Sequence, residues 1–167
     1  SPAPANIRRA GFAAVIGTFL FDQATKLWLL NLVQLEDTGP WTLAPFFDFI
    51  AVWNRGISYG LFQQYSDLGR WLLIAASVAA SIWLATLLWR ARDRMGAVAL
   101  GLIIGGALGN ALDRAIYGAV FDFAHFHVGN WSWYVFNVAD IAIVVGVAAL
   151  LYESVFPGRG KEPELPG

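Results

Sequence analysis

The chain has 167 residues, of which 57% are hydrophobic and 14% are charged, and its mean hydropathy is +0.55. A soluble domain carries about 25% charged residues, so this composition indicates an integral membrane protein. The net charge of -1, without a long basic run, excludes a protein that coats nucleic acid, and we expect no nucleic-acid partner. The absence of cysteine excludes a disulfide framework, a thiol nucleophile and a cysteine-ligated metal.

Four apolar stretches predict four transmembrane helices, at about 10–33, 71–89, 95–112 and 134–155. The first stretch is interrupted by a short polar group, whereas the second is uncharged throughout. In the third, glycine recurs at every fourth residue, which favours close approach to a neighbouring helix. The sequence therefore predicts an all-α membrane protein with a single membrane domain over 1–157.

The connection between the first two predicted spans, at about 36–69, has a different composition. Short β-prone runs alternate there with Pro, Asn and Gly, which predicts a small β platform. The final residues, 158–167, are rich in Gly, Pro and charge and are expected to form a disordered tail.

The distribution of basic residues predicts the orientation in the membrane. Four spans leave both termini on one side, and seven of the eleven basic residues fall on that side, namely Arg8, Arg9, Arg90, Arg92, Arg94, Arg159 and Lys161. By the positive-inside rule we expect both termini, and the 158–167 tail, to be cytoplasmic. The β platform and the segment 113–133 then face outward.

Ionisable residues within the spans are informative because each is costly in a bilayer. Asp22 and Lys26 are four residues apart, so they share one helix face and can pair. That pair alone is compatible with a purely structural role in the first span. Asp113 and Arg114, which end the third span, are likewise compatible with a simple interfacial ion pair.

Asp122 and Asp140 flank one outward turn and suggest a catalytic pair. Two carboxyls at short range cannot both ionise, so they share a proton, as aspartic proteases require for water activation. The alternative is that Asp140 caps a helix or pairs within the bundle while Asp122 lies in a solvated loop. These two residues alone slightly favour the alternative.

Asp122, His125 and His127 form a D-x-x-H-x-H pattern, which is compatible with a metal site. Imidazole and carboxylate suit zinc, and the two histidines of an extended segment point to one face. A third ligand with defined spacing is not evident, so the sequence favours no metal and no cofactor. The serines lack an adjacent Lys or His pattern that would activate a nucleophile.

Five motifs in order resemble those of the lipoprotein signal peptidase family, signal peptidase II. They are Asp22-Gln-Ala-Thr-Lys26, Val52-Trp-Asn54-Arg-Gly56, Gly105-Gly106-Ala-Leu-Gly109-Asn110-Ala-Leu-Asp113-Arg114, Gly118-Ala-Val-Phe-Asp122-Phe123 and Phe136-Asn137-Val-Ala139-Asp140. Two positions depart from the family pattern: Arg55 follows Asn54 where small residues are usual, and Val135 stands where a Pro is common before Phe136.

The resemblance implies an aspartyl endopeptidase of the bacterial inner membrane that removes signal peptides from diacylglyceryl-modified prolipoproteins. It implies that Asp122 and Asp140 are the catalytic dyad, near the periplasmic face. The substrate site would be lined by Asn54, Gly56, Asn110, Arg114, Asn137 and Ala139, and supported by Asp22, Lys26 and Asp113. It further implies that the β platform is a cradle over the substrate and that globomycin inhibits the enzyme. We expect the protein to be a monomer.

Two other functions are compatible with parts of the sequence. A small proton-coupled carrier or channel subunit would use Asp22, Lys26, Asp113 and Asp140 as a relay. Such a relay needs ionisable groups through the depth of the membrane, and the predicted cytoplasmic halves of spans two to four carry only Glu153. The second alternative is a metal-dependent membrane hydrolase.

Overall fold

The computed structural model describes residues 1–56 and 66–157. Its helices are α1 (Ala5–Leu27), which continues into a π-helical turn (Trp28–Leu32), α2 (Leu35–Thr38), α3 (Asp67–Trp89), α4 (Arg94–Tyr117) and α5 (Val138–Val155). The strands β1 (Trp41–Ala44), β2 (Phe47–Asn54), β3 (Val120–Val128) and β4 (Trp131–Phe136) form one antiparallel sheet in the order β1-β2-β3-β4. The fold is mostly helical with a small antiparallel sheet.

Three helices of the described chain, α3, α4 and α5, are long and apolar enough to cross a membrane. Helix α1 is equally long, at 23 residues, and occupies most of the first predicted span. It falls outside that group of apolar helices, and Asp22, Gln23 and Lys26 lie near its C-terminal end.

Helix α5 begins at Val138, so the predicted start of the fourth span at 134 was too early. The preceding residues form β4, because a short apolar aromatic run suits a strand as well as a helix. Asn137 caps α5 in a capping box with Asp140, which stops the helix from extending further back. Asp140 therefore lies in the first turn of α5, whereas a helix beginning at 134 would place it nearly two turns inside.

The sheet is also larger than the predicted platform. Only β1 and β2 come from the 36–69 connection, whereas β3 and β4 come from the segment between α4 and α5. The expectation of a platform confined to the connection between the first two spans was wrong on this point. Residues 57–65 of the predicted platform and the predicted tail, 158–167, lie outside the described residues.

Helix α4 packs between its neighbours through its glycines, as their spacing predicted. A Cβ at Gly105 would lie 2.6 Å from the carbonyl oxygen of Val15, on α1. A Cβ at Gly106 would lie 2.6 Å from the carbonyl oxygen of Ala139, on α5. The backbones of three helices thus approach to distances that any side chain at these glycines would prevent.

The sheet and the chain start lie at opposite ends of the helix bundle. At one end, the backbone N–H of Ala3 donates to Trp89 O at 2.7 Å, and the Arg8 guanidinium lies 4.4 Å from the Trp89 ring. At the other end, Phe121 and Phe123 of β3 pack in a buried cluster with Leu29 and Leu35. The sheet is thereby joined to the C-terminal end of α1.

We expect Gly105→Ala to destabilise the protein, because the added methyl group meets backbone across the α1–α4 contact. Overpacking of this kind costs about 1–3 kcal/mol. Gly17→Ala on α1 is the matched control: a Cβ there meets nothing within 4 Å, and alanine favours the helix. Thermal unfolding in detergent should show a lower Tm for the first variant only. Equal Tm values for the two variants would contradict the close α1–α4 approach.

Candidate active site

A cavity of about 180 Å³ lies where the sheet meets the bundle, and both candidate catalytic carboxyls line it. Asp122 comes from β3 and is 3% exposed, and Asp140 comes from the first turn of α5. Other lining residues include Asn54, Asn110, Arg114, Ser77 and Tyr134. The structure therefore brings together residues that are far apart in the sequence.

Asn137 connects the two carboxyls directly. Its side-chain oxygen accepts a hydrogen bond from the backbone N–H of Asp140 at 2.9 Å, as an N-cap does. Its side-chain NH2 donates to Asp122 Oδ1 at 2.8 Å. In return, Asp140 Oδ2 accepts from the backbone N–H of Asn137 at 3.1 Å. One fully buried amide thus fixes the position of both acids.

Asn110 holds the second oxygen of Asp140. Its Nδ2 donates to Asp140 Oδ1 at 3.2 Å, while its Oδ1 accepts from Lys26 Nζ at 3.1 Å and from Asn137 Nδ2 at 3.1 Å. Lysine is only a donor, so its contact determines which atom of the amide is the oxygen. The direction of the hydrogen bond to Asp140 follows from this.

The buried ammonium of Lys26 has two carboxylate partners, where the sequence predicted only Asp22. Lys26 Nζ lies 2.8 Å from Asp22 Oδ2 and 2.8 Å from Asp113 Oδ2. The Lys26 side chain is 2% exposed and both acids are 0% exposed. The structural pairing of Asp22 with Lys26 is therefore present, and it extends from α1 to α4.

The other oxygens of this cluster bind the backbone on either side of the cavity. Asp22 Oδ1 accepts from the N–H of Ala139 at 2.9 Å, and Asp113 Oδ2 accepts from the N–H of Phe121 at 3.0 Å. Ala139 and Phe121 are the residues immediately before Asp140 and Asp122. The interpretation of Asp113 as a simple interfacial ion pair with Arg114 is thus wrong, since Asp113 pairs with Lys26.

Arg114 instead contacts the residues at the end of β2. Its Nη2 donates to the carbonyl oxygen of Gly56 at 2.7 Å, and the side-chain oxygen of Asn54 accepts from the N–H of Gly56 at 2.9 Å. These three predicted site residues therefore lie together at the edge of the cavity. The Arg55 departure from the family pattern leaves both hydrogen bonds in place.

The cavity environment changes the ionisation of Asp122. Burial, and after it the negative charge of Asp140, raise the pKa of Asp122 to about 8, although a hydrogen bond from Asn54 opposes the shift. Asp122 therefore holds a proton at neutral pH, which is the state expected for one member of a proton-sharing pair.

Two contributing residues were not assigned a role from the sequence. Gln23 Nε2 donates to Asp113 Oδ1 at 3.0 Å and to Gly109 O at 3.0 Å, and so joins α1 to α4. Arg70 donates from Nε to Arg114 O and from Nη2 to Ala115 O, both at 2.6 Å. Gln23 stands in the polar interruption of the first span, which is a signal in the sequence, whereas Arg70 directly precedes an uncharged run and has no pattern that indicates its contacts.

The arrangement disfavours the carrier alternative. Asp22, Lys26 and Asp113 contact one another instead of being spread along the helices, and Asp140 is joined to them through Asn110. A relay through the membrane needs groups at successive depths.

Residues 14–156 match the family model described as signal peptidase (SPase) II. A lipoprotein signal peptidase of Methylorubrum extorquens is 62% identical over 149 residues, which cover 89% of this chain and 87% of the relative. That of Methylobacterium radiotolerans is 59% identical over 158 residues, covering 95% and 92%. A third, from Rhodopseudomonas palustris, is 49% identical over 151 residues, covering 88% and 92%.

Two solved structures, both described as bacterial membrane enzymes, share the fold. The first superposes with a TM-score of 0.77 and 21% identity, covering 94% of each chain. The second has a TM-score of 0.74 and 22% identity, covering 88% of this chain and 93% of the other. The arrangement of helices and sheet described above is therefore that of a known membrane-enzyme fold.

We expect Lys26→Met to destabilise the protein by about 3–5 kcal/mol, because it leaves Asp22 and Asp113 buried without their cation. Methionine keeps most of the side-chain volume, so the loss of stability measures the effect of removing the positive charge. Arg9→Met, at an exposed basic residue on the same helix, should change stability by no more than about 0.5 kcal/mol. Thermal unfolding in detergent measures both. An unchanged Tm for Lys26→Met would contradict the buried cluster.

Proposed function

Since the chain belongs to the signal peptidase II family of lipoprotein signal peptidases, we propose that Asp122 and Asp140 are its catalytic dyad. The observation that carries the proposal is that both carboxyls line one cavity and are held by the same buried amide, Asn137. The enzyme is an aspartic-type signal peptidase, and the dyad would activate water without a covalent intermediate.

The two acids would have different roles. Asp122, whose pKa is raised to about 8, donates its proton to the oxygen of the scissile carbonyl. Asp140, as the carboxylate, takes a proton from the attacking water, whose oxygen bonds to the carbonyl carbon. When the tetrahedral intermediate collapses, Asp140 protonates the leaving amide nitrogen and the C–N bond breaks. Asp122 recovers its proton from a hydroxyl of the intermediate. The products are a new carboxyl terminus and a free amine.

The polar residues at the cavity edge would orient the substrate backbone. Asn54, Asn110 and Arg114 line the cavity, and Arg114 fixes the Gly56 carbonyl. Side chains held at defined positions around a cleavage site align the peptide carbonyl for attack by water. Asn137 and Ala139 would act mainly by positioning Asp122 and Asp140, since both are 0% exposed.

A separate apolar groove of about 460 Å³ suits the lipid part of the substrate. It is lined by Phe126, Trp131, Trp133, Tyr134, Phe136, Ile141, Val144 and Val145. Ile141 directly follows Asp140, and Tyr134 lines both the groove and the cavity. We propose that acyl chains of a diacylglyceryl-modified prolipoprotein occupy this groove, which would set the cleavage point before the lipidated cysteine. Globomycin would then inhibit by filling the cavity.

We further propose a four-span topology in the bacterial inner membrane, with α1 as the fourth spanning helix. The polar residues of α1 face α4, whereas Ile16, Leu20 and Phe21 are exposed and apolar. Arg8 lies beside the α3–α4 turn, which carries three further arginines. By the positive-inside rule that end is cytoplasmic, and the dyad lies near the periplasmic face. The enzyme would act as a monomer.

We expect Asp122→Asn and Asp140→Asn each to lower cleavage by at least about a thousandfold, because each removes a proton donor or acceptor from the reacting bond. Gel-shift analysis of a diacylglyceryl-modified precursor measures the cleavage. Asp37→Asn, at an exposed acid on α2, is the matched control and should cleave at the wild-type rate. Near wild-type cleavage by either dyad variant would refute the assignment, and equal cleavage of an unlipidated precursor would refute the role of the groove.

We expect kcat/KM to fall as pH rises through about 8, because Asp122 then loses the proton that it donates. This alkaline limb of the pH profile reports the coupled pair and not Asp122 alone. A second limb at acid pH should complete a bell-shaped profile. Asn54→Ala removes a hydrogen bond that lowers the pKa of Asp122, so it should move the alkaline limb to higher pH. A rate that rises steadily to pH 10 would contradict the proposed proton donor.

A further inference from the structure

Two histidines and one aspartate meet on the sheet, apart from the dyad. Asp48 on β2 is the register partner of His125 on β3, and His127 follows two residues later on the same face. The two imidazole rings stack at 5.1 Å. One ligand atom from each of the three residues lies within 4.8 Å of the others.

The hydrogen bonds of Ser132 determine which nitrogen of His125 carries a lone pair. The Ser132 hydroxyl donates to Trp133 O at 3.1 Å, so its oxygen accepts from the Nε2–H of His125. Nδ1 of the neutral ring then has a lone pair, and it lies 3.8 Å from Asp48 Oδ2. A lone pair facing a carboxylate oxygen is unfavourable unless a cation lies between them.

His127 approaches the same oxygen in an equally incomplete way. Its Nε2 lies 2.7 Å from Asp48 Oδ2, yet this buried nitrogen makes no hydrogen bond of good geometry within the described chain. Two imidazole nitrogens therefore converge on one carboxylate oxygen, and neither is satisfied by it.

We propose that Asp48, His125 and His127 bind a divalent transition-metal ion of the zinc class. Tetrahedral zinc with bonds of about 2.0–2.1 Å places its ligand atoms about 3.3 Å apart, and the two measured separations from Asp48 lie on either side of that value. Two imidazoles with one carboxylate favour zinc over magnesium or calcium, which prefer oxygen. Water would complete the coordination.

The surroundings match those of metal sites. A metal-bound histidine usually donates its other ring nitrogen to an oxygen, as His125 does to Ser132. The ion would join β2 to β3 and, through Ser132, to β4. Asp122 lies three residues from His125, roughly 10 Å along β3, and its carboxylate is held by Asn137 instead. Asp48 thus replaces Asp122 in the metal site that the sequence disfavoured.

Zinc titration of the purified full-length protein, after chelator treatment and dialysis, tests the proposal. In competition with a chromogenic metal indicator, the protein should bind one Zn²⁺ per chain. Co²⁺ in place of Zn²⁺ should give the visible absorption of a low-symmetry site. Zn²⁺ should also raise the Tm of the metal-free protein.

Asp48→Asn and His127→Gln should each weaken Zn²⁺ affinity at least tenfold and abolish the cobalt spectrum. Ser132→Ala should weaken affinity about 10-fold to 100-fold without removing a ligand. Asp37→Asn should bind as wild type does. Because a variant can misfold, each metal-free Tm is compared with that of the metal-free wild type. The proposal is overturned if the folded wild type binds no Zn²⁺. It is also overturned if the folded variants Asp48→Asn and His127→Gln bind Zn²⁺ as tightly as the wild type does.

Discussion

The buried ammonium of Lys26 is the interaction on which the rest of the site depends. Removing such a group from water costs several kcal/mol, and only well-placed partners offset that cost. Lys26 has three: the carboxylates of Asp22 and Asp113 and the amide oxygen of Asn110. Each of these partners, in turn, fixes a group beside the cavity. Asn110 holds Asp140, Asp22 holds the backbone before Asp140, and Asp113 holds the backbone before Asp122.

The Lys26 cluster affects the two acids more through the positions in which it holds them than through its charges. For Asp122, the positive charge of Lys26 lowers the pKa and the negative charge of Asp113 raises it, so the two effects oppose each other. Burial and the charge of Asp140 are the larger causes of the raised pKa. The cluster can therefore hold both acids in position without fixing their protonation, which suits the proposed dyad, because such a pair must remain singly protonated.

The sequence predicted features that depend on local composition, and it failed where pairing is remote. Apolar runs located the long helices, and glycine spacing predicted the α4 contacts, because both patterns repeat within one element. The last three residues of β4, Tyr134-Val135-Phe136, fall in the predicted fourth helix, since such a run suits either structure. The cross-strand pairing of Asp48 with His125 has no local signal at all, because register is set by the folded sheet.

The two carboxyls come from different kinds of element, so their separation depends on the junction between β4 and α5. That junction is one residue, Asn137, which both ends the strand region and caps the helix. An ordinary N-cap needs only a side-chain acceptor, and Ser, Thr or Asp would satisfy it. A hydroxyl would have to accept and donate through one oxygen, whereas the amide of Asn137 accepts from Asp140 N through Oδ1 and donates to the carboxylate of Asp122 through Nδ2, two separate atoms. Aspartate at this position would keep the helix cap but place a third carboxylate beside Asp122 and Asp140. The requirement for asparagine therefore arises from the pairing of the two acids, not from the start of the helix.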